Sequence, residues 1–241
     1  MATDNDSAAL GLGARMGWLA HVVKAATQQH HLEFRDAFRP HIPDDAVVFD
    51  VGAHAGQFSK LFAAMAPRGR VFAFEPSVYA RSVLEPALGW NRVRNVEIVP
   101  LGLSDAEGTL VLHTPIKRRG QLGFGLAHLG EDTSGRAIQA QSIRLTTMDA
   151  FVAERGLARL DFIKADVEGW ELHMLKGARQ TLAAFKPALF LEVVGSSLAR
   201  ADATPEEVWA LLQPLGYRAS KARDFHAVDG FDGDGDYLFT A

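Results

Sequence analysis

The sequence contains no cysteine. That excludes disulfides, thiolate metal sites and cysteine nucleophiles. It has no apolar run of about 18 residues, so no segment reads as a membrane span. The opening MATDNDSAALGLGARMG carries Asp4 and Asp6 and no long apolar stretch. It does not read as a secretory signal, and a cytoplasmic location is expected. Nor is there a large excess of either charge: 25 Lys and Arg stand against 29 Asp and Glu, a formal net charge of −4. That balance argues against nucleic acid or an anionic membrane as a partner. What is present is apolar material, at 48% of 241 residues. It is enough to build the core of one large domain. Nothing in the composition decides for or against a homo-oligomer.

Residues 1–43 read as a leader followed by a helix over 14–38, with Leu19, Val22, Val23 and Ala26 on one face. Residues 44–241 read as the main domain. Short apolar runs there (VVFDV, RVFAFE, VEIVP, LDFIKAD and PALFLEVV) suit strands buried on both faces. Helical patterns alternate with them near 58–65, 77–89 and 170–183. Thr204, Pro205 and Glu207 open a further helix as N-cap, first-turn proline and capping-box acid. DYLFTA closes as a last strand. The alternation predicts an α/β fold with a mostly parallel sheet and helices on both faces. GTLVLHT and AQSIRLT alternate like half-exposed strands. The glycine-rich stretch between them, about 116–140, is read as an insertion loop or as a lid over an acceptor.

The stretch FDVGAHAG, residues 49–56, puts a glycine-containing turn after the first strand. Ligands of open α/β sheets bind at such carboxyl ends. Gly52 and Gly56 suit a turn passing close beneath a ligand. His54 stands where the G-x-G-x-x-G dinucleotide fingerprint needs its second glycine, which disfavours a pyrophosphate. Glu75 ends the second strand, placed to accept both hydroxyls of a ribose, and Pro76 stiffens the exit. Together these favour S-adenosylmethionine over NAD.

FDVGAHAGQFS, AFEPS, LGLSDAEGT, LDFIKADVEGWELHMLKGA and LFLEV together resemble the FkbM family of S-adenosylmethionine-dependent methyltransferases. The likeness covers roughly residues 46–194. Its most specific part is K-x-D-x-E-G-x-E, kept here as Lys164, Asp166, Glu168, Gly169 and Glu171. The family usually carries Asn where this chain has His54, a departure that bears on a cofactor contact and not on the fold. The resemblance implies a class I, Rossmann-like methyltransferase with a seven-stranded sheet. It also implies O-methylation of a hydroxyl on a small natural product or sugar. By position, Asp50, Gly52, Ala53, His54 and Gly56 would surround the methionine part. Glu75, with Pro76 and Ser77, would hold the ribose. Leu103, Ser104 and Asp105 would lie beside the adenine.

Methyl transfer needs alignment of the acceptor, exclusion of water and, for a hydroxyl, removal of a proton. Asp166 at the end of the fourth strand is the candidate base, and it also counts among the cofactor contacts. Glu192 ends the fifth strand, and Lys164 shares a strand face with Asp166. In one alternative, Asp166 and Glu192 hold Mg²⁺. In another, Lys164 and Glu192 form a structural pair across adjacent strands. Glu168 and Gly169 could simply open the next helix. The Asp232, Asp234 and Asp236 run resembles the start of a calcium loop but lacks its later residues. His30 and His31 are set aside because adjacent helical positions face different ways, and His226 as a lone histidine. Three readings compete with a small-molecule O-methyltransferase. They are an N- or macromolecule-directed methyltransferase, a cofactor-binding homologue without activity, and a dehydrogenase. DVEG, rather than an N-P-P-Y-like motif, follows the fourth strand.

Overall fold

The computed structural model describes residues 12–117, 121–122, 128–129 and 138–241. Helix α1 (Leu12–Thr27) is followed by a 3-10 turn at Leu32–Phe34 and by α2 (Arg35–Phe38). Then come β1 (Val47–Val51), α3 (Gln57–Met65), β2 (Arg70–Phe74), α4 (Val78–Trp90), β3 (Val96–Val99) and β4 (Gly102–Leu103). Next are β5 (Gly108–Lys117), β6 (Gln121–Leu122), β7 (His128–Leu129) and β8 (Ile138–Thr146). The chain continues through α5 (Met148–Glu154), β9 (Phe162–Ala165), α6 (Glu171–Lys176), α7 (Arg179–Phe185) and β10 (Ala188–Val193). It ends with α8 (Gly195–Arg200), α9 (Pro205–Leu212), β11 (Arg218–Lys221), β12 (His226–Val228) and β13 (Gly235–Thr240).

The main sheet runs β12-β11-β13-β10-β9-β1-β2-β3. From β3 to β10 neighbouring strands are parallel, and β13 enters antiparallel to β10 and β11. It has eight strands rather than seven, because β12 folds back on β11 as a hairpin and extends the edge. Successive side chains of a strand point to opposite faces, and the core divides accordingly. Phe49, Phe72, Phe74, Ile163, Leu189 and Leu191 pack on one face against α5, α6, α7 and α9. Val48, Val71, Phe162 and Phe190 pack on the other, against Phe38 of α2 and Phe58 and Phe62 of α3. Both faces are covered, which is why these strands read as continuous apolar runs.

Two helices expected as continuous are interrupted. The 14–38 helix stops at Thr27, and His31 takes a left-handed φ of 65° before the 3-10 turn. Of the face assigned to it, Val22 and Ala26 are buried against Val83 and Ala87 of α4, while Leu19 and Val23 are exposed. The 170–183 helix breaks at Gly177, where a Cβ would lie 2.0 Å from the Ser104 carbonyl oxygen. The Thr204 capping box forms as expected, with Glu207 N–H donating to Thr204 Oγ1 and Thr204 N–H to Glu207 Oε2. The half-exposed strands pair as β5 and β8, from Gly108 opposite Leu145 to Pro115 opposite Ile138. Most of the proposed lid, about 116–140, lies outside the described residues. Among the described residues no helix is long and apolar enough to cross a membrane.

Candidate active site

A cleft of about 340 Å³ opens at the carboxyl ends of β1, β2, β9 and β10. That is the size of a small-ligand site, at the place where open α/β sheets bind ligands. The turn after β1 is tied to β2 because the Gly52 and Ala53 N–H groups both donate to the Phe74 carbonyl, at 3.0 and 3.1 Å. Glu75 then receives the His54 N–H on Oε2 at 2.7 Å and the Ser77 N–H on Oε1 at 2.8 Å. One carboxylate thus holds the first turn and the start of α4 together. Each oxygen keeps a lone pair for a further donor. Burial pushes the Glu75 carboxyl up, and the two backbone N–H groups pull it back.

Gly52, at φ 73°, is obligatory for a protein reason: a Cβ there would sit 2.0 Å from the Asp166 carbonyl oxygen. The expectation that its small size served the ligand gives way to this contact between the ends of β1 and β9. At Gly56 a Cβ would meet Leu84. Gly52, Ala53, His54, Glu75, Pro76, Ser77 and Leu103 line the cleft, while Asp50 and Gly56 lie behind it. His54 is half-buried on the cleft wall, and desolvation together with the Lys164 charge lowers its pKa to about 4.

Lys164 lines the floor of the cleft, although its side chain is almost wholly buried. Its Nζ donates to the Gly52 carbonyl at 3.0 Å and lies 3.7 Å from both Asp50 Oδ1 and Asp166 Oδ2. Ser59 Oγ donates to the other Asp50 oxygen at 2.5 Å. Burial alone would lower the lysine, but Asp166, Asp50, Glu192 and Glu75 outweigh it and hold the pKa above the usual range. The expected Lys164–Glu192 ion pair does not form. The β9–β10 register puts Phe190 opposite Lys164, whereas the β1 register puts Asp50 there.

Glu192 instead hydrogen-bonds Asp166 and lies opposite Asp236 across β10 and β13. Burial and the charges of Asp166 and Asp236 push Glu192 up to about 8, and burial with Asp166 pushes Asp236 up to about 6. Glu192 therefore holds a proton at neutral pH. A folded-state pKa raised above the unfolded value stabilises the fold below the unfolded value, and the contribution is lost as pH rises through the folded one. The melting temperature should thus fall as pH rises from about 5 to about 8. Glu192→Gln, which keeps an N–H donor towards Asp166, should flatten that fall. Parallel melting curves for wild type and variant would contradict this arrangement.

The turn after β9 departs from the expectation that Glu168 and Gly169 open a helix. Glu168 has φ 55° and Gly169 φ 105°, and α6 begins only at Glu171. A Cβ on Gly169 would lie 2.2 Å from the Ser197 carbonyl oxygen. Glu171 Oε1 accepts the Val167 N–H at 3.0 Å and the Gly169 N–H at 3.3 Å. Its burial raises the carboxyl to about 7. The two acids of E-G-x-E thus divide their work: Glu168 lines the cleft, and Glu171 shapes the turn that presents it.

Ser104 and Asp105 do not line the cleft; they brace a residue that does. Trp170 Nε1 donates to Ser104 Oγ at 3.0 Å, and Ser104 Oγ donates to Asp105 Oδ1 at 3.0 Å. His173 stacks on Trp170 at 4.3 Å and meets Asp105 at 3.3 Å. Trp170 and His31, both on the cleft wall, carry no role in the sequence reading. The one signal for Trp170 was its place inside the K-x-D-x-E-G-x-E run. His31 had none. Among the described residues no cluster of three His, Asp or Glu side chains is arranged to hold a metal ion. The Mg²⁺ site suggested for Asp166 and Glu192 gains no third His, Asp or Glu ligand from the described residues.

A model of the methyltransferase FkbM domain matches residues 50–219. AMB antimetabolite synthetase AmbE of Pseudomonas aeruginosa is 32% identical, over 76% of this chain and 10% of its own length. Methyltransferase sdnD of Sordaria araneosa is 27% identical, over 79% and 80%. The 2-O-methyltransferase NoeI of Sinorhizobium fredii is 26% identical, over 57% and 59%. The chain therefore spans a tenth of the first relative and under two thirds of the third. Methyltransferase FkbM from Methylobacillus flagellatus superposes with a TM-score of 0.52 at 16% identity, covering 92% of this chain and 58% of that one. SMU.1697c from Streptococcus mutans, solved with SAH, gives 0.51 at 10% identity, covering 88% and 97%. These two likenesses concern the class I methyltransferase fold. The sequence match runs through the glycine turn, Glu75 and the K-x-D-x-E-G-x-E run, and the chain belongs to the FkbM methyltransferase family.

Proposed function

We propose that this protein transfers a methyl group from S-adenosylmethionine to a hydroxyl of a small acceptor, with a natural product or a sugar as the fitting classes. The observation that carries the reading is Glu75. Its buried carboxylate is held by two backbone N–H groups on the cleft wall and still has an acceptor site on each oxygen. That is the chemistry needed to receive a ribose diol. Bound there, the cofactor supplies a methyl group already activated by the sulfonium charge.

The residues of the chain supply placement. The Gly52–Ala55 turn and Leu103 form walls for the cofactor, and Ser77 caps α4 beside them. Asp166, Glu168 and Glu192 line the same cleft as Glu75. The negative charge of Asp166, beside a protonated Glu192, suits a sulfonium and disfavours an anionic acceptor. Asp166 is engaged by Lys164 on one side and Glu192 on the other, so we assign the Asp166–Glu192 pair to hold and orient the acceptor hydroxyl. Lys164 fixes the pair from beneath. The name of the relative NoeI favours oxygen as the atom methylated.

Titration calorimetry with S-adenosylhomocysteine tests the site. Glu75→Ala should lose about 1.5–3 kcal/mol of affinity, the worth of hydrogen bonds to a charged group, or roughly 10–150-fold. Undiminished binding by the folded variant would remove Glu75 from the ribose site.

A further inference from the structure

His31 lies between α1 and the 3-10 turn and reaches the cleft wall. Residues 28–31 are not helical, so the argument from adjacent helical positions that set this histidine aside does not apply. Its ring stacks on Phe58, with centroids 4.2 Å apart and planes 10° from parallel. The Lys164 ammonium lies 5.2 Å from the same Phe58 ring, and 3.7 Å from Asp166 Oδ2. The imidazole and the Asp166 carboxylate therefore belong to one wall, linked through Phe58 and Lys164.

Two further features single it out. His31 has φ 65°, a conformation uncommon outside glycine. Two other non-glycine residues with positive φ, His54 and Glu168, line the same cleft. In addition, neither ring nitrogen of His31 hydrogen-bonds to a described residue. A half-buried imidazole fixed by stacking, with neither nitrogen bonded to a described residue, has an acceptor atom to offer a ligand.

We propose that His31 is the general base, taking the proton of the acceptor hydroxyl during methyl transfer. This rests on the methyl-transfer reading above. The acceptor oxygen bonds to the methyl carbon as the carbon–sulfur bond breaks, with its electron pair left on sulfur. The hydroxyl proton passes to an unprotonated His31 ring nitrogen and then to water. The charge state is suitable. Burial lowers the pKa of His31; Glu33 raises it, Lys164 and His30 lower it, and Asp166 raises it. The net direction is down, so the imidazole is neutral and able to accept a proton at neutral pH.

The test starts from titration of wild-type imidazole signals by NMR, with His31 identified by the signal lost in His31→Asn. Asparagine tolerates the left-handed backbone. The expected midpoint lies below about 6.5, and Asp166→Asn, by removing a nearby negative charge, should lower it further. A midpoint above about 7, or one unmoved by Asp166→Asn, overturns the proposal. In a second arm, methyl glycosides serve as acceptor probes. If wild type methylates one, His31→Asn should lose about 10²–10⁴-fold in kcat and keep its S-adenosylhomocysteine affinity; an unchanged kcat overturns the proposal. If wild type methylates none, the titration alone decides. Calorimetry separates the two levels. No S-adenosylhomocysteine binding by wild type sinks the methyl-transfer reading. Binding retained with a high His31 midpoint sinks only the base.

Discussion

Lys164→Met should lose about 3–5 kcal/mol of stability in urea unfolding, the cost of stranding a buried charge. Lys164 is 3% exposed and Asp50 is fully buried, so solvent cannot take over for the missing partner. The same ammonium donates to the Gly52 carbonyl, and its loss also loosens the contact between the ends of β1 and β9. Met keeps most of the volume, so a cavity contributes little. Pairing it with Asp50→Asn removes both charges and should recover part of the loss, because the residual penalty of a buried pair is largely desolvation. A single variant as stable as wild type would mean that Lys164 is not the cation that neutralises Asp50.

Asp166→Asn should reduce kcat by about 10²-fold or more while leaving S-adenosylhomocysteine affinity within a few-fold. Asp166 lies at the cleft with its side chain 43% exposed, and is held by Lys164 and Glu192. Asparagine keeps the size and removes the charge. It alters the contact with Glu192 and so disturbs how an acceptor hydroxyl is aimed. A group that acts on the acceptor shows its effect in kcat and not in cofactor binding. Equal losses in both would place Asp166 among the cofactor contacts, and a wild-type kcat would remove it from the mechanism. Single-turnover and calorimetric measurements on the same preparation separate these outcomes.

The parts of the fold that depend on double-sided burial were legible in the sequence. VVFDV and RVFAF are apolar on both faces because helices cover both, and they stand where expected as β1 and β2. The edge beyond β13 was not legible. β11 reads RASK and β12 reads HAV, short polar pieces whose pairing is set by the hairpin and not by an apolar period. The interrupted first helix was hidden for another reason. Leu32, Phe34 and Phe38 continue an apolar pattern across a left-handed residue that no periodicity detects.

In the site, strand alternation correctly put Lys164 and Asp166 on one side. Which neighbouring strand would answer Lys164 depended on register. Asp50 on β1 is directly opposite, while Glu192 lies two residues beyond Lys164's partner on β10. Glu171 was visible as a motif position, but its work on the Val167 and Gly169 N–H groups required the turn geometry. His31 and Trp170 reach the cleft through loops and a stacking brace, neither of which leaves a spacing to count.

Paired calorimetric titrations with S-adenosylhomocysteine and NAD decide whether the cleft beside Glu75 is an S-adenosyl site. The predicted result is a saturable isotherm for S-adenosylhomocysteine, none for NAD, and a weakened one for Glu75→Ala. Saturable NAD binding without S-adenosylhomocysteine binding would mean that the cleft is not an S-adenosyl site.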